Sequence, residues 1–263
     1  MTNVATYTTI ADIDTDAVAG LYGLEGLHLE GLDGGFANSS FKATTAQGAY
    51  VLTILDNYDD EASADILAAH TEAMYGVGMP TAEVVRNIEG HRISVIDGRL
   101  ILVKRWIEGK VIEPLPAHLL PAAGALLARL HQLPPSSVPD LPAGTRRLSP
   151  EQQALISEFP DRGFAEWLTT GLAEVSLREA ALPPRPAVIS HGDVFADNVI
   201  VRPDDQLAII DWETVSLDSA PLDLGMTLLG LAKVNGRLDH ERALQIVVGY
   251  TKERPLSDEE LAA

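Results

Sequence analysis

Two stretches in the second half of this 263-residue chain set ionisable side chains directly against short apolar runs. The first is Val188-Ile-Ser-His191-Gly-Asp193-Val-Phe-Ala-Asp197-Asn198-Val-Ile-Val201, and the second is Leu207-Ala-Ile-Ile-Asp211-Trp-Glu213. Apolar runs this short, bounded by polar residues, read as strands. The pattern calls for two strands whose connection carries Asp193 and Asn198 towards a cleft, and a third strand that ends on Asp211.

The rest of the chain divides around this core. Residues 27–57 alternate strand and turn signals: His28 to Leu32, the turn Asp33-Gly34-Gly35, Ser40 to Thr45, the turn Ala46-Gln-Gly48, and Ala49 to Leu55. A helix is expected from Glu61 to Tyr75, with Ile66, Ala69, Ala73 and Met74 on its apolar face. Two more strands are expected at Glu83–Ile88 and Leu100–Trp106. Beyond Glu108-Gly109-Lys110 the character turns helical, with an apolar stripe at Leu119, Ala123, Leu126, Leu127 and Leu130. Further helices are expected at Ser149–Glu158, Gly163–Leu177, Leu222–Val234 and His240–Tyr250. The expected architecture is α+β and bilobal: an antiparallel sheet with one helix over residues 1–106, and a mainly helical lobe over 107–263.

Composition narrows the chemistry. No cysteine is present, which excludes disulfides, thiolate metal sites and thiol nucleophiles and leaves oxygen or imidazole ligands for any metal. The net charge of −19 argues against nucleic acid and against an anionic membrane surface as partner. The polar start, Met1 to Ile10, lacks the pattern of a secretory signal, and no run approaches the ~18 apolar residues of a membrane span, so the expected compartment is the cytoplasm.

Phosphoryl transfer needs few protein groups: a carboxylate to orient the acceptor hydroxyl and oxygen ligands for magnesium. Asp193 can fill the first role, and Asn198, five residues later, and Asp211 can fill the second. Any one of these residues alone more often makes a local loop hydrogen bond; the joint spacing is what carries the reading.

That set resembles the aminoglycoside phosphotransferase and choline kinase-like family, and over nearly its whole length the chain is most similar to the type II homoserine kinase branch. The resemblance implies a protein-kinase-like fold, ATP and Mg2+ as cofactors, and a small hydroxylated molecule as acceptor. By it, Asp193 is the catalytic base, Asn198 and Asp211 bind the metal, and His191 and Asp223 support the catalytic loop. Upstream, Gly34-Gly35-Phe-Ala-Asn38-Ser39-Ser40-Phe-Lys42 resembles that branch's nucleotide-covering hairpin, where a glycine turn brings backbone N–H groups to phosphates. Lys104, Arg105 and Trp106 fall where the lobes join and are candidates to hold the adenine.

Departures from the pattern bear on the acceptor. Kinases of this kind place a lysine on the third strand, paired with a glutamate on the next helix; here the strand position is Thr53, and only Glu61 and Glu72 flank the partner position. The branch itself resembles this chain in lacking the lysine, and Lys42 on the neighbouring strand is a candidate source of positive charge. The segment Trp212-Glu-Thr-Val-Ser216 differs from the aromatic continuation that the branch shows after its metal-binding aspartate. The acidic end, Asp258 to Ala263, stands where family members carry further helices. A homoserine-like amino-acid alcohol is the favoured acceptor, with Arg105, Arg146, Arg147 and Arg162 as candidates for its carboxylate. An aminoglycoside, drawn to Glu213 and Asp218, is the alternative. A catalytically silent nucleotide-binding module is the reading outside the enzyme class.

Overall fold

The computed structural model describes residues 8–32, 38–144, 147–182 and 185–261. It opens with α1 (Thr15–Tyr22), started by the Asp14 side chain accepting the Ala17 amide and stopped by Gly23 at φ 63°. The sequence reading places no helix before His28. The aspartate cap and glycine stop were the available signals, and eight residues are too few for a clear period.

Strands β1 (His28–Gly31), β2 (Ser39–Thr45) and β3 (Gly48–Ile54) follow, then helix α2 (Glu61–Gly76), then β4 (Val84–Val85), β5 (Ile93–Ile96) and β6 (Arg99–Arg105). Among the described residues these strands form one antiparallel sheet in the order β1-β2-β3-β6-β4, with β5 also paired to β6. Strand β5 was not expected. It is the first arm of a hairpin turned at Asp97-Gly98, both at positive φ (51° and 74°), the geometry that Asp-Gly supplies most readily.

Directly paired residues share a face of the sheet, and this sorts the side chains. Phe41, Leu52 and Val103 lie opposite one another and pack with Ala43, Tyr50, Ile54 and Ile101 under Val18, Tyr22 and Leu24 of the α1 segment. The other face carries Ser40, Thr53 and Leu102, then Lys42, Val51, Lys104 and Val84. Helix α2 covers part of it, packing Ala64, Leu67 and Ala68 against Val84, Ile93 and Leu102. The apolar face of α2 is rotated from the one expected: Ala64, Leu67, Ala68, Thr71 and Met74 are buried, whereas Ile66 is 47 % exposed. The rest of that sheet face, including Lys42, Val51 and Lys104, is left open to the second half of the chain.

The second half comprises β7 (Lys110–Val111), α3 (Leu120–Gln132), α4 (Pro150–Ala154), α5 (Arg162–Ala181), β8 (Ala187–Ser190), β9 (Val199–Val201), β10 (Leu207–Ile209), β11 (Ser216–Ser219) and α6 (Ala220–Leu231). The hairpin β12 (Lys233–Val234) and β13 (Arg237–Leu238), α7 (His240–Glu253) and α8 (Asp258–Leu261) complete it. The helix expected over Leu222–Val234 stops at Leu231, because Asn235-Gly236, at φ 50° and 76°, turns the chain back as a hairpin. The three strands read from the two polar stretches are present, and β10, β9 and β7 form one small sheet while β11 pairs with β8. This mixed α+β architecture, antiparallel sheet first and mostly helix after, is the expected one. No helix among the described residues is long and apolar enough to cross a membrane.

Helices α3 and α7 cross at two glycines. A Cβ on Gly124 would stand 2.0 Å from the Ile246 carbonyl oxygen, and one on Gly249 would stand 1.9 Å from the Pro121 carbonyl oxygen. Both obstacles are backbone and cannot swing aside. The halves of the chain also share a core: Met74 and Met79 belong to the apolar cluster of α3, α6 and α7. Gly249→Ala is expected to cost at least about 3 kcal/mol by forcing the helices apart, read as a lower midpoint in thermal or urea unfolding. Gly171→Ala on α5, where an added methyl meets nothing within 4 Å, is expected to be neutral or stabilising by up to about 1 kcal/mol.

Candidate active site

The loop between β8 and β9 carries His191, Asp193 and Asn198. Asp223, in the first turn of α6, holds its entry: Oδ2 accepts the His191 amide and Oδ1 the Gly192 amide, each at 2.8 Å. The Asp223 side chain has no exposed surface, and His131 on α3 completes its shell, with Nε2 3.0 Å from Oδ2. A carboxylate requires a donor there, so the His131 proton sits on Nε2 and Nδ1 accepts the Tyr250 hydroxyl at 2.7 Å. Burial alone would push the Asp223 carboxyl up; the hydrogen bonds from His131 and the Gly192 amide hold it below its ordinary value.

His191 braces the loop from inside. The Asp193 amide donates to its Nδ1 at 3.2 Å, so the ring proton is on Nε2, 3.1 Å from the Ile210 carbonyl oxygen. One neutral imidazole thus ties the start of the loop to the residue before Asp211, its ring centroid 4.7 Å from that of Trp212 and tilted 56° to it. Burial lowers the His191 pKa, against the opposing pull of Asp223 and the Ile210 carbonyl. Gly230 of α6 fits under the loop, where a Cβ would come within 2.4 Å of the Val194 carbonyl oxygen.

Asn198 points back at Asp193. Its Nδ2 donates to the Asp193 carbonyl at 2.9 Å and to Asp193 Oδ2 at 3.1 Å. Asp193 and Asn198 are thereby locked as a unit, and Ile210, whose amide donates to the Asn198 carbonyl at 3.0 Å, brings Asp211 alongside. Asp211 is exposed, adopts φ 68°, and accepts a long 3.5 Å contact from the Glu213 amide. Hard oxygen donors, one neutral from Asn198 and one anionic from Asp211, suit magnesium, which keeps waters and phosphate oxygens for its remaining positions. Among the described residues no three carboxylate or imidazole groups converge into a protein-only metal cage.

The first half closes over this loop. Trp212 Nε1 donates to Thr81 Oγ1 at 2.9 Å, the Ile209 amide to the Pro80 carbonyl at 2.8 Å, and Asn38 Nδ2 to Glu213 Oε1 at 2.6 Å. Asp211, Glu213 and Lys104 act on one another electrostatically. Partial burial and the Asp211 charge raise the Glu213 carboxyl, opposed by Asn38 and Lys104. Burial raises the nearby Tyr58 phenol, and Glu213 and Asp211 push it further.

The candidate nucleotide residues separate. Gly34 and Gly35 lie outside the described residues. Ser40 and Lys42 sit on the open face, with Ser40 Oγ 3.4 Å from Thr53 Oγ1 and Lys42 Nζ 4.6 Å over the Trp106 ring. Ser39 alternates to the other side, where its amide and hydroxyl donate to Asp56 Oδ2 at 2.9 and 2.6 Å. Arg105 also points away, towards Glu83 at 3.2 Å and the Tyr50 hydroxyl at 3.4 Å. The amides of Arg105 and Trp106 already donate to the Glu83 and Ala49 carbonyls. Any adenine-reading amide on this connection therefore comes after Trp106.

Of the candidate acceptor groups, Arg147 is committed to Asp218 and, at 2.8 Å, to Glu179; Arg162 bonds the Ser157 carbonyl; and Arg146 lies outside the described residues. Glu72 is taken by Arg86 and Arg92. His131 is the residue whose role the sequence reading missed, standing at the end of a plain helical stripe; Lys104 was expected only as a candidate to hold the adenine.

Fold and loop together define a kinase-like phosphotransferase. The chain belongs to the phosphotransferase enzyme family, which it matches over residues 28–256, and is a small-molecule kinase. It is 30 % identical over 270 residues to a homoserine kinase of Caulobacter sp. (strain K31), a match that covers 98 % of this chain and 82 % of that one. It is 27 % identical over 269 residues to the homoserine kinase of Beijerinckia indica subsp. indica, covering 99 % and 82 %. The solved structure of an amicoumacin kinase in complex with AMP-PNP, Ca2+ and Ami shares the fold, with TM-score 0.73 at 16 % identity over 94 % of this chain and 80 % of that one.

Two outcomes follow. Asp223→Ala leaves two loop amides and His131 without their acceptor in a dry interior, and is expected to cost on the order of 3–5 kcal/mol, measured as a fall in unfolding midpoint together with loss of phosphotransfer. Because the folded state holds His191 neutral, that contribution is complete above the ordinary imidazole pKa of ~6.5 and is lost as pH falls through the depressed folded value. The thermal midpoint of the wild type should therefore drop more steeply than that of His191→Gln between pH 7 and 5; parallel curves would exclude this role for His191.

Proposed function

We propose that this kinase moves the γ-phosphoryl group of ATP to the hydroxyl of a homoserine-like amino-acid alcohol, with magnesium as the metal. The observation that carries the reading is the Asp193–Asn198 unit: one amide nitrogen fixes both the main-chain carbonyl and the carboxylate of Asp193. In this reading Asp193 orients the acceptor hydroxyl and takes its proton as the bond to phosphorus forms. Asn198 Oδ1 and the Asp211 carboxylate hold the magnesium, which neutralises charge on the phosphates. His191 and Asp223 position the loop. The β2–β3 hairpin covers the phosphates, and the adenine sits against the connection after β6. The acceptor assignment rests on the homoserine kinases to which the chain is similar along nearly its full length.

The test is ADP release with ATP and Mg2+ against a panel of amino-acid alcohols, amino alcohols and aminoglycosides. Homoserine or a close analogue is expected to turn over, and Asp193→Asn to reduce kcat by roughly 10²–10⁴. Turnover on aminoglycosides alone would redirect the acceptor assignment. Nucleotide binding without turnover on any acceptor would replace the enzyme reading with that of a binding module, and ADP release unchanged in Asp193→Asn would remove Asp193 from its role.

A further inference from the structure

We propose that the Lys104 side chain is the phosphate-contacting cation of this kinase, reaching the nucleotide from β6 in place of the lysine that β3 lacks at Thr53. The inference rests on the phosphotransferase reading above and gives Lys104 a different task from the adenine contact expected of it.

The sheet register supplies the geometry. Thr53 pairs with Leu102 and Val51 with Lys104, so Lys104 stands diagonal to Thr53, one pair further along the same face. Diagonal neighbours of this kind lie ~7–8 Å apart, within the reach of a lysine side chain. Val84 flanks Lys104 on its other side and is packed under α2, so the lysine marks the border between the covered part of the face and the open part. Thr53 is itself buried, its hydroxyl 3.4 Å from that of Ser40, and offers no charge.

Among the described residues the open face presents two cations, and they point to different places. Lys42 lies over the Trp106 ring, at the end of the sheet where the chain leaves β6. Lys104 is the one on which the Asp211 and Glu213 carboxylates of the second half act. No hydrogen bond or ion pair within 4 Å of its ammonium occurs among the described residues, and Glu72, which could have answered it from α2, is held by Arg86 and Arg92. Burial lowers the Lys104 pKa while Asp211 and Glu213 act to keep the proton on. A part-buried ammonium with no close anion is held at a cost unless a further anion arrives. The triphosphate, entering between the sheet and Asp211, is that anion. In the transfer, the bond from the γ-phosphorus to its bridging oxygen breaks as the bond to the acceptor oxygen forms, Asp193 receives the proton, and Lys104 offsets the negative charge left on the phosphates.

Nucleotide binding by calorimetry tests the inference independently of the acceptor. In Lys104→Met, ATP with Mg2+ should bind about 10–100-fold more weakly, whereas adenosine, which carries no phosphate, should bind as it does to the wild type. Lys104→Arg should retain part of the ATP affinity. In the double variant Thr53→Lys with Lys104→Met, a lysine restored on β3 should recover both affinity and kcat. Circular dichroism melting checks that each variant is folded. Unchanged ATP affinity in a folded Lys104→Met, equal losses for ATP and adenosine, or a loss in Lys42→Met as large as that in Lys104→Met would each overturn the assignment. Wild-type turnover alongside any of these results would leave the kinase reading standing. A wild type that binds no nucleotide would overturn both.

Discussion

The Asp223 carboxylate lies without exposed side-chain surface and accepts the amides of His191 and Gly192 together with the His131 imidazole. A buried anion with that many donors is stable only while every donor is present, which makes it an exacting positioning device. Through it three elements distant in sequence are held to one loop: α3 by His131, α6 by Asp223 itself, and α7 by Tyr250, whose hydroxyl satisfies the far side of His131. The two glycines at the α3–α7 crossing serve the same end, because closer helices bring Tyr250 within reach of His131.

His191 passes that rigidity on. Its neutral ring accepts from Asp193 and donates to the Ile210 carbonyl, so the base candidate and the strand carrying Asp211 are set by one side chain. Trp212 extends the coupling to the first half of the chain through Thr81. The cleft is therefore acidic on one wall, with Asp193, Asp211 and Glu213, and meets Lys104 on the other. Such a wall repels a polyphosphate unless cations intervene, which is the electrostatic reason for reading Asn198 and Asp211 as metal ligands and Lys104 as a phosphate contact.

Most long elements were legible because their signals are local. The strands around the two polar stretches, the β2–β3 hairpin and helices α2, α3, α5 and α7 all carry period or turn chemistry within a few residues. What escaped was short. Helix α1 has eight residues, β5 four and the β12–β13 arms two each. Their turns, Asp97-Gly98 and Asn235-Gly236, adopt positive φ, a signal confined to a dipeptide in each case. Strand β11 is defined only by its pairing with β8 and has no pattern of its own.

The candidate site shows the same division. Spacing along the chain was enough to nominate Asp193, Asn198 and Asp211, because they lie on one loop and at the end of the next strand but one, while His191 and Asp223 came from the family resemblance. Spacing could not say which way a side chain faces. Alternation sends Ser39 and Arg105 to the side of the sheet away from the cleft and leaves Ser40, Lys42 and Lys104 on the open side, and a shift of one residue would have reversed them. The composition and order of residues determined the class of chemistry and the groups that could perform it. Only tertiary structure decided that His131 completes the Asp223 shell and that Lys104 comes within the electrostatic reach of Asp211, because burial and proximity depend on neighbours that the sequence places 92 residues away in one case and 107 in the other.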